Sequence, residues 1–298
     1  MLQICIKFVF SHIMQKTKIN IGFSPCPNDC FIFDALIHNK IDTKHLQFEP
    51  VIEDVETLNR MAFKGHLHTT KLSYHAFAYL TNIYRLLTSG SALGFNCGPL
   101  LIAMPQTAEK IKQNPAVISK LKVAIPGKYT TANFLLSLAY PTLTQKTELV
   151  FSEIEEAVIT GKTDVGLIIH ENRFTYQQKG LVKITDLGEW WESYSQSAIP
   201  LGGIVVQRSL SVADQILINQ LIKESVEYAF ANPKDVMGFV KQHAQAMDET
   251  VMQKHIDLYV NKYSIDLADT GKKAVTLLFD KAVETKTISS YPTDLFVC

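Results

Sequence analysis

Lys18-Ile19-Asn20-Ile21-Gly22-Phe23-Ser24-Pro25-Cys26-Pro27-Asn28-Asp29-Cys30 passes from an apolar run through a proline-marked turn into a helical pattern. Ile19 to Phe23 reads as a strand, because β-branched and aromatic side chains suit a pleated, half-buried surface. The two prolines of Ser24 to Asp29 oppose helix, so this stretch reads as a turn. Cys30 to His38 then reads as a helix, with Asn28 or Asp29 as its N-cap. A strand leading through a tight polar turn into a helix is the repeating unit of α/β folds.

The same alternation continues along the chain. Further strands are expected at Leu46 to Val51, Leu100 to Ala103, Lys122 to Ile125, Glu148 to Phe151, Val165 to Ile169, Leu181 to Ile184 and Ile204 to Val206. Helices are expected at Val55 to Phe63, Thr107 to Asn114, Thr130 to Leu138 and Ser152 to Thr160. From Ser211 to Glu284 the pattern is helical throughout: Ala213 to Asn232, a helix opening at Pro233, and two further amphipathic stretches. No Gly/Ser-rich linker divides the chain, so any division must be discontinuous. Asn96-Cys97-Gly98-Pro99 and Ile199-Pro200-Leu201-Gly202-Gly203 combine permissive glycine with φ-fixed proline and read as crossings. They define one lobe from 18–99 plus 200–298 and an inserted lobe from 100–199, with a ligand cleft between them.

Composition narrows the function. The 298 residues carry 29 Lys+Arg against 29 Asp+Glu, and 19% charged residues is low for a soluble domain. That balance disfavours a nucleic-acid surface, and the expected partner is a small molecule. No apolar run approaches the roughly 20 residues of a spanning helix, so no membrane span is expected. Cysteines at 5, 26, 30, 97 and 298 form no paired framework, which fits a reducing compartment. Met1 to Thr17 reads as an N-terminal extension outside the fold. Lys7 interrupts its apolar run and no small-x-small site follows, so it is no export signal, and a cytoplasmic location is expected.

Val165-Gly166-Leu167-Ile168-Ile169-His170-Glu171 is an apolar strand ending in a histidine, and ligands of open α/β sheets bind beyond the carboxyl ends of strands. His170 is there either a proton acceptor in the cleft or a histidine bonded to the adjoining turn; Glu171 either orients it or caps a helix, and the cap is the favoured reading. Thr130 and Thr131, after Pro126-Gly127, open a helix whose free amides and hydroxyls suit an anion. The run is no P-loop, since Lys128 precedes the threonines. Lys71-Leu72-Ser73 has the same strand-to-helix character, with Ser73 read as a cap facing the cleft. Ser24, Asn28 and Asp29 offer short polar groups at the same edge, and Tyr194 is a further candidate. His66, His68 and His75 lack an acidic ligand at a suggestive spacing, so no metal is expected.

Taken together, Ser24 to Asp29, Lys71-Leu72-Ser73, Gly98-Pro99-Leu100, Pro126-Gly127 with Thr130 to Asn133, Asp164 to Glu171 and Pro200 to Gly203 resemble the 1,4-dihydroxy-6-naphthoate synthase family of the futalosine route to menaquinone. The resemblance runs in colinear order over about residues 18 to 290. It implies a two-lobed fold like the type 2 periplasmic binding proteins. It also implies a carbon–carbon lyase reaction, converting cyclic dehypoxanthinyl futalosine to 1,4-dihydroxy-6-naphthoate without redox cofactor or metal. His170 falls on the family's proton acceptor, and Lys71, Leu72, Ser73, Thr130 and Thr131 on its substrate-binding positions. The chorismate dehydratase of the same pathway shares the fold, but the Ser24 to Asp29 loop and His170 favour the naphthoate synthase. A non-catalytic solute-binding protein is the other alternative, and it would need export.

Overall fold

The computed structural model describes residues 16–244 and 248–297. Residues 1–15, most of the expected extension, lie outside them, as does Cys298. In chain order the elements are β1 (Thr17–Phe23), α1 (Pro27–Ile37), β2 (Leu46–Ile52), α2 (Val55–Phe63), β3 (Thr69–Ser73), α3 (Tyr74–Ala78), β4 (Tyr84–Leu86), β5 (Ala92–Gly94) and β6 (Leu100–Ala103). There follow α4 (Pro105–Gln113), β7 (Lys122–Ile125), α5 (Thr131–Ala139), β8 (Gln145–Glu148), α6 (Ile154–Ile159), β9 (Val165–Ile168), α7 (Asn172–Thr175), β10 (Val182–Asp186), α8 (Leu187–Ser195) and β11 (Ile199–Gln207). Helices α9 (Val212–Ala231), α10 (Pro233–His243), α11 (Glu249–Tyr259), α12 (Lys262–Ile265) and α13 (Ala268–Glu284) close the chain.

Two mixed sheets result. The first has the order β2-β1-β3-β11-β4, with β5 also pairing β11; the second has the order β10-β6-β9-β7-β8. In the first, β1 runs parallel to β2 and β3, and β11 returns antiparallel to β3. In the second, β7 is parallel to β8 and β9, and β6 antiparallel to β9. The chain passes to the second sheet through Phe95 to Pro99 and returns at β11. Backbone meets backbone at the outward passage: a Cβ on Gly98 would sit 2.1 Å from the Gly188 nitrogen. Arg173 ties the passage down, donating to the carbonyls of Gly98 (2.5 Å) and Asn96 (2.9 Å) while pairing with Asp186 at 2.6 Å.

Helix α1 is buried along nearly its whole length, which is why it lacks a polar stripe. Phe33 stacks on Phe23 at 4.5 Å, and the Ser225 hydroxyl of α9 donates to Ile32 O and accepts from Leu36 N–H. The helix begins at Pro27 rather than Cys30, because a proline at the first helical position loses no hydrogen bond. Asn28 and Asp29 therefore lie inside it, and Cys26 precedes it without a side-chain cap. Two further expectations shift. The strand placed at Glu148 to Phe151 lies at Gln145–Glu148, followed by a 3-10 turn at Phe151–Glu153. The helix placed from Thr107 starts two residues earlier, again at a proline, Pro105. Strand β1 takes in Thr17, one residue of the expected extension.

Candidate active site

The carboxyl ends of β1, β3 and β9, the N-terminus of α5 and the inner face of α11 surround one cavity. Ser24, Asn28, Lys71, Leu72, Ser73, Thr130, Thr131 and His170 line it. Asp29 sits at its floor, 2% exposed, and accepts from Ser24 N–H (3.1 Å), the Ser24 hydroxyl (2.7 Å) and Asn28 Nδ2 (2.9 Å). Lys71 Nζ lies 3.3 Å from Asp29 Oδ1 and donates to Gly90 O at 2.7 Å. A buried ion pair persists when such additional bonds satisfy its remaining lone pairs and protons. Asn28 Oδ1 is buried without a hydrogen-bond partner.

Ser73 does not cap α3. Its N–H donates to Asn59 Oδ1 (3.0 Å) and its hydroxyl accepts from Asn59 Nδ2 (3.2 Å), so α2 holds it in place. Thr130 does cap α5: its hydroxyl accepts from Asn133 N–H (3.2 Å) and donates to Gly127 O (2.9 Å). The Thr131 hydroxyl ties α5 to β11 and α3, donating to Leu201 O of β11 (2.6 Å) and accepting from His75 N–H of α3 (3.2 Å). Beside it, Tyr129 N–H donates to Glu56 Oε2 at 3.2 Å. Both threonine hydroxyls are thus engaged within the protein. What the helix offers an anion is the amides of Thr131 and Ala132, which take no bond inside the helix and belong to cavity-lining residues.

His170 lies two residues beyond the end of β9, with φ of 56°, a left-handed conformation uncommon outside glycine and asparagine. Phe151 packs edge-on against its ring at 5.0 Å, and its Nε2 is buried without a hydrogen-bond partner. Burial pushes its pKa below the ordinary histidine value, against the opposing pull of Glu171, Asp29 and Asp54. The imidazole is therefore neutral near pH 7 and offers a lone pair. Glu171 caps nothing; its Oε2 lies 3.6 Å from Nδ1 of His255 on α11. Sequence reading missed His255 and Tyr259, which line the cavity one helical turn apart. The i, i+4 spacing was visible, but nothing in the sequence said which face of α11 meets the cleft.

The remaining candidates go elsewhere. Tyr194 is 51% exposed, stacked on Trp190 at 5.2 Å and outside the cavity. The three histidines weighed as metal ligands do not converge. His66 is exposed, His68 Nδ1 accepts from Asn20 N–H, and His75 Nδ1 donates to Thr130 O.

Two sheets flanking one cavity, with a histidine, its Nε2 buried, beyond a strand end, define a binding-protein-like fold. The periplasmic aliphatic sulphonate binding protein of Escherichia coli shares this fold at a TM-score of 0.59 and 10% identity, over 92% of this chain and 89% of that one. A crystal structure of a protein from Archaeoglobus fulgidus superimposes at a TM-score of 0.83 with 33% identity, over 93% of this chain and all of that one. The family model described as menaquinone biosynthesis matches residues 19–284, and the chain belongs to that family. Curated relatives named 1,4-dihydroxy-6-naphthoate synthase are 42% identical in Thermus thermophilus, over 94% of this chain and 99% of theirs, and 37% identical in Streptomyces coelicolor, over 90% and 94%. Among the described residues no helix is long and apolar enough to cross a membrane.

Proposed function

We propose that the chain is a carbon–carbon lyase that converts cyclic dehypoxanthinyl futalosine to 1,4-dihydroxy-6-naphthoate, with His170 as general base. The observation that carries this reading is the neutral His170 imidazole, its Nε2 buried and unpartnered, at the edge of the cavity lined by Lys71 and the α5 N-terminus. A base must be deprotonated at working pH and within reach of the proton it takes. In this reading the substrate carboxylate rests on the amides that open α5, with Lys71 as the nearby cation. Ser24, Asn28, Leu72 and Ser73 complete the walls, and Thr130 and Thr131 act by holding the helix end. Residues 18–99 with 200–298 form one lobe and 100–199 the other, closing over the substrate. Proton transfer and bond cleavage without a redox change call for no redox cofactor. Three free, buried cysteines, Cys26, Cys30 and Cys97, fit work in the reducing cytoplasm.

The test is turnover. Purified protein with cyclic dehypoxanthinyl futalosine should release 1,4-dihydroxy-6-naphthoate, and His170→Asn should lower kcat about 10²–10⁴-fold with KM little changed. Consumption of chorismate in a parallel sample, without naphthoate formation, would move the assignment to the dehydratase. No change in either substrate would leave a solute-binding protein.

A further inference from the structure

Cleavage of a carbon–carbon bond needs a proton taken at one place and one given at another, and His170 accounts only for the first. A second imidazole borders the same cavity. His255 is 1% exposed, and its ring faces that of His170 with centroids 6.1 Å apart and planes 18° from parallel. It comes from α11, whereas His170 and Glu171 come from the link between β9 and α7, so two separate elements bring the imidazoles side by side at one cavity. His170 Nε2, His255 Nδ1 and Glu171 Oε2 are all buried without a hydrogen-bond partner. Nδ1 of His255 and Oε2 of Glu171 face each other at 3.6 Å, too far for a hydrogen bond; buried polar atoms are ordinarily paired, and two cavity-lining imidazoles each with an open nitrogen mark a place where a ligand or a moving proton supplies the missing partner. Such a group costs stability, so its retention calls for a use.

We propose that His255 is a second catalytic residue, relaying the proton returned to the departing fragment, with Glu171 as the residue that positions it. The inference rests on the lyase reading above. In the step, His170 takes the proton of a carbohydrate hydroxyl at the bond to be broken, and the oxygen's electron pair forms a carbonyl as the carbon–carbon bond breaks. The electrons of that bond leave on the fragment as a carbanion, which takes the N–H proton of His255. His255 accepts at its other nitrogen the proton carried by His170, through a water molecule or a substrate hydroxyl that spans the 6.1 Å between the rings. One proton is taken and one returned, both imidazoles end neutral, and the new carbonyl enolises as the ring aromatises. No oxidant or reductant enters. A neutral imidazole suits this relay because it carries a donor and an acceptor at once, and burial beside His170 keeps His255 well below the ordinary histidine pKa.

The experiment compares wild type, His255→Gln and His255→Ala, the last also with added imidazole or N-methylimidazole. N-methylimidazole fills nearly the same space but has no N–H, so it cannot relay. Expected are a kcat lowered about 10²-fold in both variants with KM within about threefold, and recovery of His255→Ala by at least tenfold with imidazole but not with N-methylimidazole. Wild-type kcat in either variant overturns the proposal, as does rescue by both azoles equally or by neither. Loss of the folded state in both variants, read by thermal melting, makes His255 a core residue and also overturns it. If wild-type protein forms no naphthoate, the lyase reading fails and the relay falls with it. An active wild type with unaffected His255 variants removes the relay alone.

Discussion

Thr131→Val tests whether closure of the cleft is held by one hydroxyl. The substitution keeps shape and volume but removes the donor to Leu201 O (2.6 Å) and the acceptor for His75 N–H (3.2 Å). Neither group has an alternative in its own element. His75 lies in the first turn of α3, where amides lack helical partners, and Leu201 lies at the register shift of β11 between Pro200 and Gly202. An unpaired buried backbone group costs about 1–3 kcal/mol, so with two such groups the variant should lose about 2–6 kcal/mol in the closed form. If the lobes open, water restores both bonds, and the loss falls on closure rather than on folding. At about 1.4 kcal/mol per decade the KM for the proposed substrate should rise roughly 30-fold to 10⁴-fold. The melting temperature should fall by no more than a few degrees, and Thr131→Ser should restore the wild-type KM. Steady-state turnover and a thermal melt measure both. A KM within about threefold of wild type would refute the reasoning, as would a large drop in melting temperature with KM unchanged.

Other outcomes follow from the same structure. Gly98→Ala should destabilise the fold by about 3 kcal/mol or more, read by urea unfolding, because its Cβ would fall 2.1 Å from the Gly188 nitrogen and backbone cannot yield as a side chain can. Stability should fall as pH drops below 6.5. Burial pushes His75 down to about 4, so between those values the unfolded chain binds a proton that the folded chain refuses. That single histidine accounts for about 2 kcal/mol by pH 5, and its loss in His75→Asn should flatten the pH dependence of thermal melts. His170 and His255, also depressed by burial, contribute in the same direction. Cys26, Cys30 and Cys97 are buried with thiols pushed up by desolvation, so iodoacetamide should label them at least about 10²-fold more slowly in native protein than in urea, by peptide mass mapping.

The sequence exposed the strands wherever an apolar run was bounded by turn residues. Leu100–Ala103 and Lys122–Ile125 lie where periodicity put them, and Val165–Ile168 ends one residue short. It also exposed residues that line the cavity, because Lys71 to Ser73 end β3, Ser24 and His170 lie just past β1 and β9, and in α/β sheets the carboxyl ends of strands face the cleft. Helix starts were less legible. Pro27 reads from sequence as part of a turn and the helix after Pro105 reads as starting at Thr107, whereas at the first helical position a proline has no bond to lose. Strands β4 and β5 were invisible because three-residue segments pair only when β11 is there to receive them. His255 was hidden for a related reason: α11 is amphipathic, but the identity of what its buried face meets is a tertiary fact.

The cleft differs in kind from one that only holds a solute. A binding site gains by satisfying its polar atoms, and the Asp29, Ser24, Asn28 and Lys71 cluster does nearly that, fixing geometry before any ligand arrives. The His170 side leaves more open: Nε2 of His170 is buried without a partner, and Nδ1 of His255 and Oε2 of Glu171 face each other at 3.6 Å, beyond hydrogen-bond distance. Burial that lowers a histidine's pKa also weakens it as a base, so the arrangement trades driving force for certainty that the lone pair is free. Such a weak base is effective only if water is shut out and the proton it takes has somewhere to go. Closure through Thr131 would meet the first condition and the neighbouring His255 imidazole the second, so closure and proton transfer become one event. On that logic Thr131→Val and His255→Gln should separate cleanly, the first acting on KM and the second on kcat, because one governs how often the cleft closes and the other what happens once it has.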